Sequence, residues 1–220
     1  FANSRNVARR LQDSLGIASE PLYHRSPITE ALLELDGGEY GDTIVFPSRF
    51  ESLKRQSIVV DAMRHVRTDV RLLLVGRGPD ERALRRRIAD AGLAERVAIE
   101  VGPPDDRLME LVRSALGVYY GPFDEDFGYV TLEAFLARKP VITCLDSGGP
   151  NEFVIDGVNG FVRPPEADAF AMAINQLAAL SIVSGKAPGI YDPGAFLTRG
   201  QMATLLVGAV EYVTGAPLPV

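Results

Sequence analysis

The residues best suited to chemistry in this chain include two carboxylates that stand eight positions apart. Glu125 lies in a predicted loop and Glu133 on the predicted helix that follows, with Gly128 between them. The free amides at a helix N-terminus bind anions, and a glycine lets a ligand approach the backbone closely. The turn can therefore hold a phosphate while Glu133 binds a vicinal diol such as a ribose. The alternative is that Asp124 and its acidic neighbours only complement the helix dipole.

A second cluster, residues 48–54, supplies positive charge after an apolar segment that ends at Pro47. The guanidinium of Arg49 suits bidentate contact with phosphate, and Lys54 contributes a compact point charge. Ligands of open α/β sheets bind beyond the carboxyl ends of the strands. Because cations follow one strand and free amides follow another, the two clusters together predict a diphosphate site. Taken alone, this segment is also typical of a solvated loop and helix start.

The elements that must position these residues alternate between short apolar segments and longer amphipathic ones. Strands are predicted at residues 43–47, 70–75, 97–101, 117–120, 141–144 and 160–162, and helices at residues 5–15, 53–66, 79–91, 105–116, 129–138 and 167–180. Residues 16–42, with several prolines and glycines, are predicted to be a connection. Strands alternating with helices of this length predict the α/β class, with a parallel sheet and helices on both faces.

Composition narrows the functional classes. A length of 220 residues predicts one full domain plus a remainder. The net charge of −6 argues against nucleic acid as a partner, and no apolar run reaches the roughly 18 residues of a transmembrane helix. The single cysteine, Cys144, and the two histidines argue against a disulfide and against a metal site.

The composition changes near residue 178. The last 43 residues carry only four charged side chains, which are Lys186, Asp192, Arg199 and Glu211. A loop rich in glycine and proline at residues 185–194 is followed by a predicted helix at residues 199–213. We therefore predict that residues 178–220 form a separate helix–loop–helix tail.

These motifs resemble glycosyltransferase family 4, a retaining family with the GT-B fold. The shared features are the Glu125–Glu133 spacing around Phe127 and Gly128, the pair Arg49 and Lys54, and the stretches 74–79, 132–142 and 147–161. They follow one another in the family's order over about residues 1–177. The resemblance implies that residues 43–177 are the Rossmann-like C-terminal half of a GT-B fold, which binds the nucleotide-sugar. Residues 1–42 would be a remnant of the acceptor-domain helix and the crossover linker.

The resemblance also implies roles for single residues. Arg49 and Lys54 would bind the donor diphosphate, Glu125 the hydroxyls of the donor sugar and Glu133 those of the ribose. The implied donor-binding set is Ser48, Arg49, Lys54, Pro104, Glu125, Phe127, Gly128, Tyr129, Val130 and Glu133. Its backbone amides would hold phosphate, and the loop at Pro104 would lie near the base. Arg49, Lys54 and Glu125 are the implied catalytic residues, because preorganised charge stabilises a leaving diphosphate.

The implied substrates are a UDP-, GDP- or ADP-sugar as donor and a glycan or lipid-linked acceptor, without a permanently bound cofactor or metal. Because acceptor-side groups are absent, we expect the chain to bind donor but to transfer sugar poorly. Such an enzyme belongs in the cytoplasm, either free or peripheral to the membrane. A glycosidase that uses Glu125 and Glu133 as its two carboxylates is disfavoured by the phosphate-binding features.

The tail resembles a different family, the S-layer homology modules, which dock proteins on cell-wall polymers. The matching stretches are residues 173–185, 191–193 and 198–203, although Gln201 stands where that family usually has an acid. This resemblance gives the alternative function, a cell-surface binding protein in which the Rossmann-like part is a scaffold.

Overall fold

The computed structural model describes residues 1–34 and 40–183, with side chains to residue 180. Within these residues the strands are β1 (Thr43–Pro47), β2 (Arg71–Gly76), β3 (Val97–Val101), β4 (Gly117–Tyr119), β5 (Val141–Cys144) and β6 (Gly160–Arg163). The helices are α1 (Arg5–Leu15), α2 (Thr29–Glu34), α3 (Gln56–Ala62), α4 (Glu81–Asp90), α5 (Asp105–Arg113), α6 (Tyr129–Leu136) and α7 (Ala167–Val183). Two 3₁₀ turns, Ser52–Lys54 and Gly149–Glu152, flank the sheet.

The six strands form one parallel sheet in the order β3-β2-β1-β4-β5-β6. Strand β5 is buried along its whole length, and β1 is buried from Ile44 onward, as expected where helices cover both faces of a sheet. Helix α3 packs against α4 and α7, whereas α6 packs against α2 and against strands β4 and β5. The predicted α/β class, with a Rossmann-like parallel sheet surrounded by helices, is therefore confirmed.

The register of the sheet is uneven across its width. Strands β1 and β2 share five residue pairs, and so do β2 and β3. Strand β4 is joined to β1 through Ile44–Gly117 and Val45–Val118, and to β5 through two further pairs. The order of the strands reverses between β1 and β4, so the short central strand adjoins the topological switch point, where ligands of open α/β sheets bind.

The core beneath this point is aromatic. The Tyr119 ring packs edge-to-face on Phe46 at 4.7 Å and on Phe170 of α7 at 4.9 Å between centroids. Helix α7 continues without a break through residue 178, and Ala178 is buried in the same core. The predicted boundary between residues 177 and 178 therefore falls inside α7. The remainder of the predicted tail, from residue 184, lies outside the described residues.

The predicted helix at residues 53–66 is divided in the structure. Arg55 has a left-handed backbone conformation (φ 62°), which separates the 3₁₀ turn Ser52–Lys54 from α3. The Arg55 guanidinium donates two hydrogen bonds to the Asp146 carboxylate, at 2.6 and 2.8 Å, in the loop after β5. This long-range ion pair favours a conformation that a local pattern does not predict.

Helix α2 was not predicted, because residues 16–42 have the composition of a connection. Ser26 initiates it: its carbonyl accepts hydrogen bonds from the Thr29 hydroxyl at 2.7 Å and from the Thr29 amide at 3.1 Å. Leu32 is then buried in the main core. The predicted helix at residues 5–15 is confirmed as α1, with the Ser4 hydroxyl accepting from the Val7 amide at 3.1 Å.

Candidate functional site

The candidate site lies at the carboxyl ends of β1 and β4, on either side of the switch point. The ammonium of Lys54 forms an ion pair there with the carboxylate of Glu125, and their side chains are only 14% and 22% exposed. The Lys54 Nζ also lies 5.8 Å from the centre of the Tyr120 ring, and burial, followed by the charge of Glu125, raises the pKa of the Tyr120 hydroxyl. The structure thus brings two of the predicted residues together, from segments that follow different strands.

The loop that carries Glu125 is fixed from both sides by its main chain. The Phe123 amide donates to the carbonyl of Leu53, next to Lys54, at 2.8 Å. The Glu125 amide donates to Ser147 at 2.9 Å, and the Glu125 carbonyl accepts from the Gly149 amide at 2.8 Å. The turns that follow β1 and β5 therefore hold this loop between them.

Gly128 ends this loop and begins α6. Its backbone is left-handed (φ 83°), and a β-carbon there would lie 2.8 Å from Pro150 Cγ and 3.2 Å from Tyr120 Cε1. The amides of Tyr129 and Val130, in the first turn of α6, have no carbonyl four residues back within the helix. Such amides form an anion-binding position, which begins at Tyr129, soon after Glu125 in the chain; Gly128 adjoins the Tyr120 ring that Lys54 also faces.

Phe127 supports the loop through its side chain. The ring is buried, and it packs on His24 at 4.6 Å, Tyr129 at 5.3 Å and Phe153 at 5.5 Å between centroids. The buried ring anchors the turn from beneath, so any contact of Phe127 with a ligand would come from its backbone.

Glu133 lies on α6 and accepts a hydrogen bond from the Ser26 hydroxyl. Burial raises the pKa of Glu133 because it disfavours the charged carboxylate, the Ser26 hydrogen bond lowers it, and the nearby charge of Asp105 raises it. Asp105 is adjacent to Pro104, which precedes α5 at the end of β3. The loop at Pro104 is therefore on the same edge of the sheet, two strands from β1.

Arg49 is placed differently from the other predicted residues. Its side chain is 76% exposed and pairs with Glu51 at 3.0 Å. Ser48 is held by its backbone, since its amide donates to the Val75 carbonyl at 2.9 Å. Lys54 provides the positive charge beside Glu125, and Ser48 and Arg49 lie in the same turn after β1.

Several residues at the site were missed by the sequence analysis. They are Asn6, Tyr23, Ser26, Tyr120 and Asp146, and each contacts a loop of the site. Three of them belong to the N-terminal segment, whose partners stand more than 100 positions away. No periodicity or local motif indicates contacts of that range.

The arrangement combines a partly buried cation, two carboxylates and the free amides of a helix N-terminus at the switch point of the sheet. A cation with amides can neutralise phosphate oxygens, and carboxylates can accept hydrogen bonds from hydroxyl groups. Among the described residues, no three His, Cys, Asp or Glu side chains are grouped so that they could hold a metal ion. None of the helices in that part of the chain is long and apolar enough to span a bilayer.

The fold and this site define an α/β domain of the Rossmann-like class, with a polar crevice at its switch point. A family model described as "Glycosyl transferases group 1" matches residues 38–184. The chain belongs to this family.

Named relatives agree with the family. A D-inositol 3-phosphate glycosyltransferase of Nocardia farcinica is 34% identical over 150 residues, which cover 62% of this chain and 33% of the relative. An alpha-1,3/1,6-mannosyltransferase of Homo sapiens is 30% identical over 146 residues, covering 59% of this chain and 35% of the relative. The chain thus aligns with about a third of each of these proteins.

Solved structures share the fold. Anabaena HepE, in complex with UDP and glucose, has a TM-score of 0.70 at 24% identity, over 98% of this chain and 62% of HepE. Sucrose-phosphate synthase from Thermosynechococcus elongatus has a TM-score of 0.74 at 22% identity, over 97% of this chain and 56% of the synthase. The described residues therefore share the Rossmann-like fold of GT-B glycosyltransferase structures.

Proposed function

We propose that this chain is the donor-binding half of a nucleotide-sugar-dependent glycosyltransferase that transfers a hexosyl group with retention. The observation that carries the proposal is the Lys54–Glu125 pair across the switch point. It stands beside the free N-terminus of α6, and Glu133 lies one turn further along that helix. Family membership supports the same reaction class.

Different site residues would bind different parts of the nucleotide-sugar donor. Lys54, with Arg49 from the same turn and the amides of Tyr129 and Val130, would neutralise the diphosphate. Charge held in place before the reaction stabilises a leaving diphosphate without reorganisation. Glu133 would accept hydrogen bonds from the ribose, and the loop at Pro104 would face the base.

Glu125 is assigned to the donor sugar. Its charge is neutralised by Lys54. Phosphate oxygens would compete for the ammonium, and sugar hydroxyls would donate to the carboxylate in its place. Ser48 and the backbone of Phe127 and Gly128 would complete the pocket.

The finer class and substrates are also part of the proposal. The motif pattern supports family 4 and a glycan or lipid-linked acceptor. UDP is the first nucleotide to test, because Anabaena HepE was solved with UDP and glucose, and GDP and ADP follow. A nucleotide-sugar enzyme works where its donor is made, so we place the protein in the cytoplasm, free or peripheral to the membrane.

Calorimetry with UDP, GDP and ADP on the purified chain tests the donor site. Binding of one nucleotide is expected, with loss of affinity in Glu133→Ala and in Arg49→Ala. The exposed residues Glu95 and Arg82 provide matched controls as Glu95→Ala and Arg82→Ala. Absence of binding to all three nucleotides would contradict the proposal.

Cell-wall docking by residues 178–220 remains the alternative function that the tail motifs predict. Most of that segment lies outside the described residues, so this alternative depends on the motifs alone. Co-sedimentation of the chain with purified cell walls tests it, with the chain truncated after residue 183 as the control. Equal recovery of both proteins in the supernatant would dispose of this alternative.

A further inference from the structure

The loop that carries Glu125 is held by a third element besides the turns after β1 and β5, which is helix α1. The Asn6 Nδ2 atom donates to the Glu125 carbonyl at 3.1 Å and to Asp124 Oδ1 at 2.8 Å. Arg10, one turn further along α1, pairs with Asp124 at 3.3 Å and also with Asp126. Helix α1 therefore contacts three successive residues of this loop.

The side chain of Asn6 is fixed in one orientation. It is 5% exposed, and both hydrogens of its amide group are used by the loop. Its Oδ1 accepts from the Arg9 guanidinium at 2.7 Å, and its backbone amide donates to Glu152 at 2.8 Å. A primary amide has two donor hydrogens and one acceptor oxygen, so every polar group of this side chain has a partner.

The approach of Asn6 to the loop requires a special backbone on the far side. A β-carbon at Gly148 (φ 72°) would collide with Asn6 Nδ2 and would lie 2.7 Å from the Glu125 carbonyl oxygen. The absence of a side chain at Gly148 thus allows α1, the loop and the turn after β5 to meet. Asn6 lies at the centre of this junction.

We propose that Asn6 is a positioning residue that holds the main chain of Glu125 so that its carboxylate faces the donor sugar. This inference rests on the proposed function. Its specific consequence concerns the sugar more than the nucleotide, because Glu133 is held by Ser26 and the main chain of Lys54 by Glu51, neither of which Asn6 contacts. Loss of Asn6 therefore weakens the binding of a nucleotide-sugar more than the binding of the corresponding nucleotide.

The test compares dissociation constants for UDP and UDP-glucose, GDP and GDP-mannose, and ADP and ADP-glucose, using the pair that the unsubstituted chain binds. We define the preference as the dissociation constant for the nucleotide divided by that for its sugar conjugate. In Asn6→Ala this ratio is expected to fall about fivefold, the effect of one neutral hydrogen bond. Gln12→Ala is the matched control, since Gln12 carries an exposed amide on the same helix. This control is expected to leave the preference unchanged.

Two further measurements separate positioning from a general loss of structure. In the Glu125→Ala background, Asn6→Ala is expected to change the preference no further, because the group it positions is gone. If Asn6→Ala does not fold, Asn6→Leu keeps about the size of the side chain and removes the donor without adding a charge, and the same loss of preference is expected. Absence of nucleotide binding by the unsubstituted chain would overturn the proposed function together with this inference. Wild-type binding with an unchanged preference in the Asn6 variants would overturn this inference alone.

Discussion

Lys54 and Glu125 form an ion pair at the topological switch point between β1 and β4, although 71 positions separate them in the chain. The pair joins the turn that follows β1 to the loop that follows β4, at the point where the strand order reverses. A single charge left alone at such a depth is costly, whereas two opposite charges in contact largely compensate each other. The charges of Lys54 and Glu125 thereby balance each other.

Replacing Lys54 by Met is expected to lower nucleoside diphosphate affinity about tenfold or more, because a hydrogen bond to a charged group contributes about 1.5–3 kcal/mol. The free energy of unfolding should also fall, since Glu125 loses its partner. Calorimetry and urea denaturation measure the two effects. The double variant Lys54→Met with Glu125→Gln should recover stability but not affinity, and Arg82→Met, on the exposed face of α4, should alter neither.

Gly128 and Gly157 allow a matched comparison of two left-handed glycines. A β-carbon at Gly128 (φ 83°) meets Pro150 and Tyr120, whereas a β-carbon at Gly157 (φ 74°) meets nothing within 4 Å. Gly157→Ala should therefore lower the free energy of unfolding by about 1 kcal/mol through backbone strain. Gly128→Ala should lower it by the same amount and by about 1–3 kcal/mol more through overpacking. Urea denaturation of both variants measures the difference. Equal losses would show that the contacts at Gly128 relax freely.

Glu133 is expected to make stability depend on pH in a defined direction. Burial raises its folded-state pKa above the ordinary 4.5, so the folded protein binds this proton more tightly than the unfolded chain does. The stabilisation is present at low pH and is lost as the pH rises through the folded-state value. Glu133→Gln should thus gain stability over the natural chain as the pH rises from about 4.5 to 7.

Unfolding titrations at several pH values across that range check this expectation. Ser26→Ala supplies the companion variant, because the Ser26 hydrogen bond lowers the pKa of Glu133. Without that bond the folded-state pKa of Glu133 rises further, so the loss of stability with rising pH should extend to higher pH and become larger. A stability difference between Glu133→Gln and the natural chain that stays constant with pH would contradict the assignment.

Arg55 and Arg138 separate the effect of an ion pair from that of backbone strain. Both have left-handed backbones, with φ of 62° and 57°, but Arg55 binds Asp146 through two hydrogen bonds. Arg138→Gly is expected to stabilise the protein by about 0.5–1 kcal/mol, because glycine adopts this conformation without strain. Arg55→Gly should be neutral or destabilising, since it loses the Asp146 pair. Arg55→Ala should lower the free energy of unfolding by about 1 kcal/mol more, because alanine also keeps the backbone strain. Thermal and urea unfolding of the three variants test this order.

The parts of the fold that the sequence predicted are those with a strong local signal. Residues 97–101 and 141–144 form strands with the predicted bounds, because each is a short run rich in β-branched residues and bounded by turn residues, the pattern typical of a strand. The two clusters of site residues were predicted from the same signal, since each follows such a run. Lys54 and Glu125 could be expected at one edge before their contact was seen.

The parts that were not predicted depend on contacts between distant segments. Asn6 and Ser26 contact residues 119 and 107 positions away, and nothing in their own neighbourhood indicates those partners. Arg55 interrupts a helical pattern because its guanidinium binds Asp146, and this contact has no counterpart in the local spacing of apolar residues. The candidate site therefore includes contacts from residues 1–42, which the sequence patterns predict to be a remnant of an acceptor-domain helix and a linker.

The shortness of β4 has a consequence for how this domain opens. Two residue pairs join β4 to each of its neighbours, whereas five pairs join β1 to β2 and β2 to β3. Among the described residues, the shortest strand pairings therefore lie directly beneath the site. Val118 and Tyr120 are buried, and their amides donate to the Pro140 and Ile142 carbonyls at 2.8 Å, so these amide hydrogens exchange only when the sheet opens along this line. A molecule that touches both Lys54 and Glu125 would fasten the two halves together, and slowed exchange at Val118 and Tyr120 would then report its occupancy.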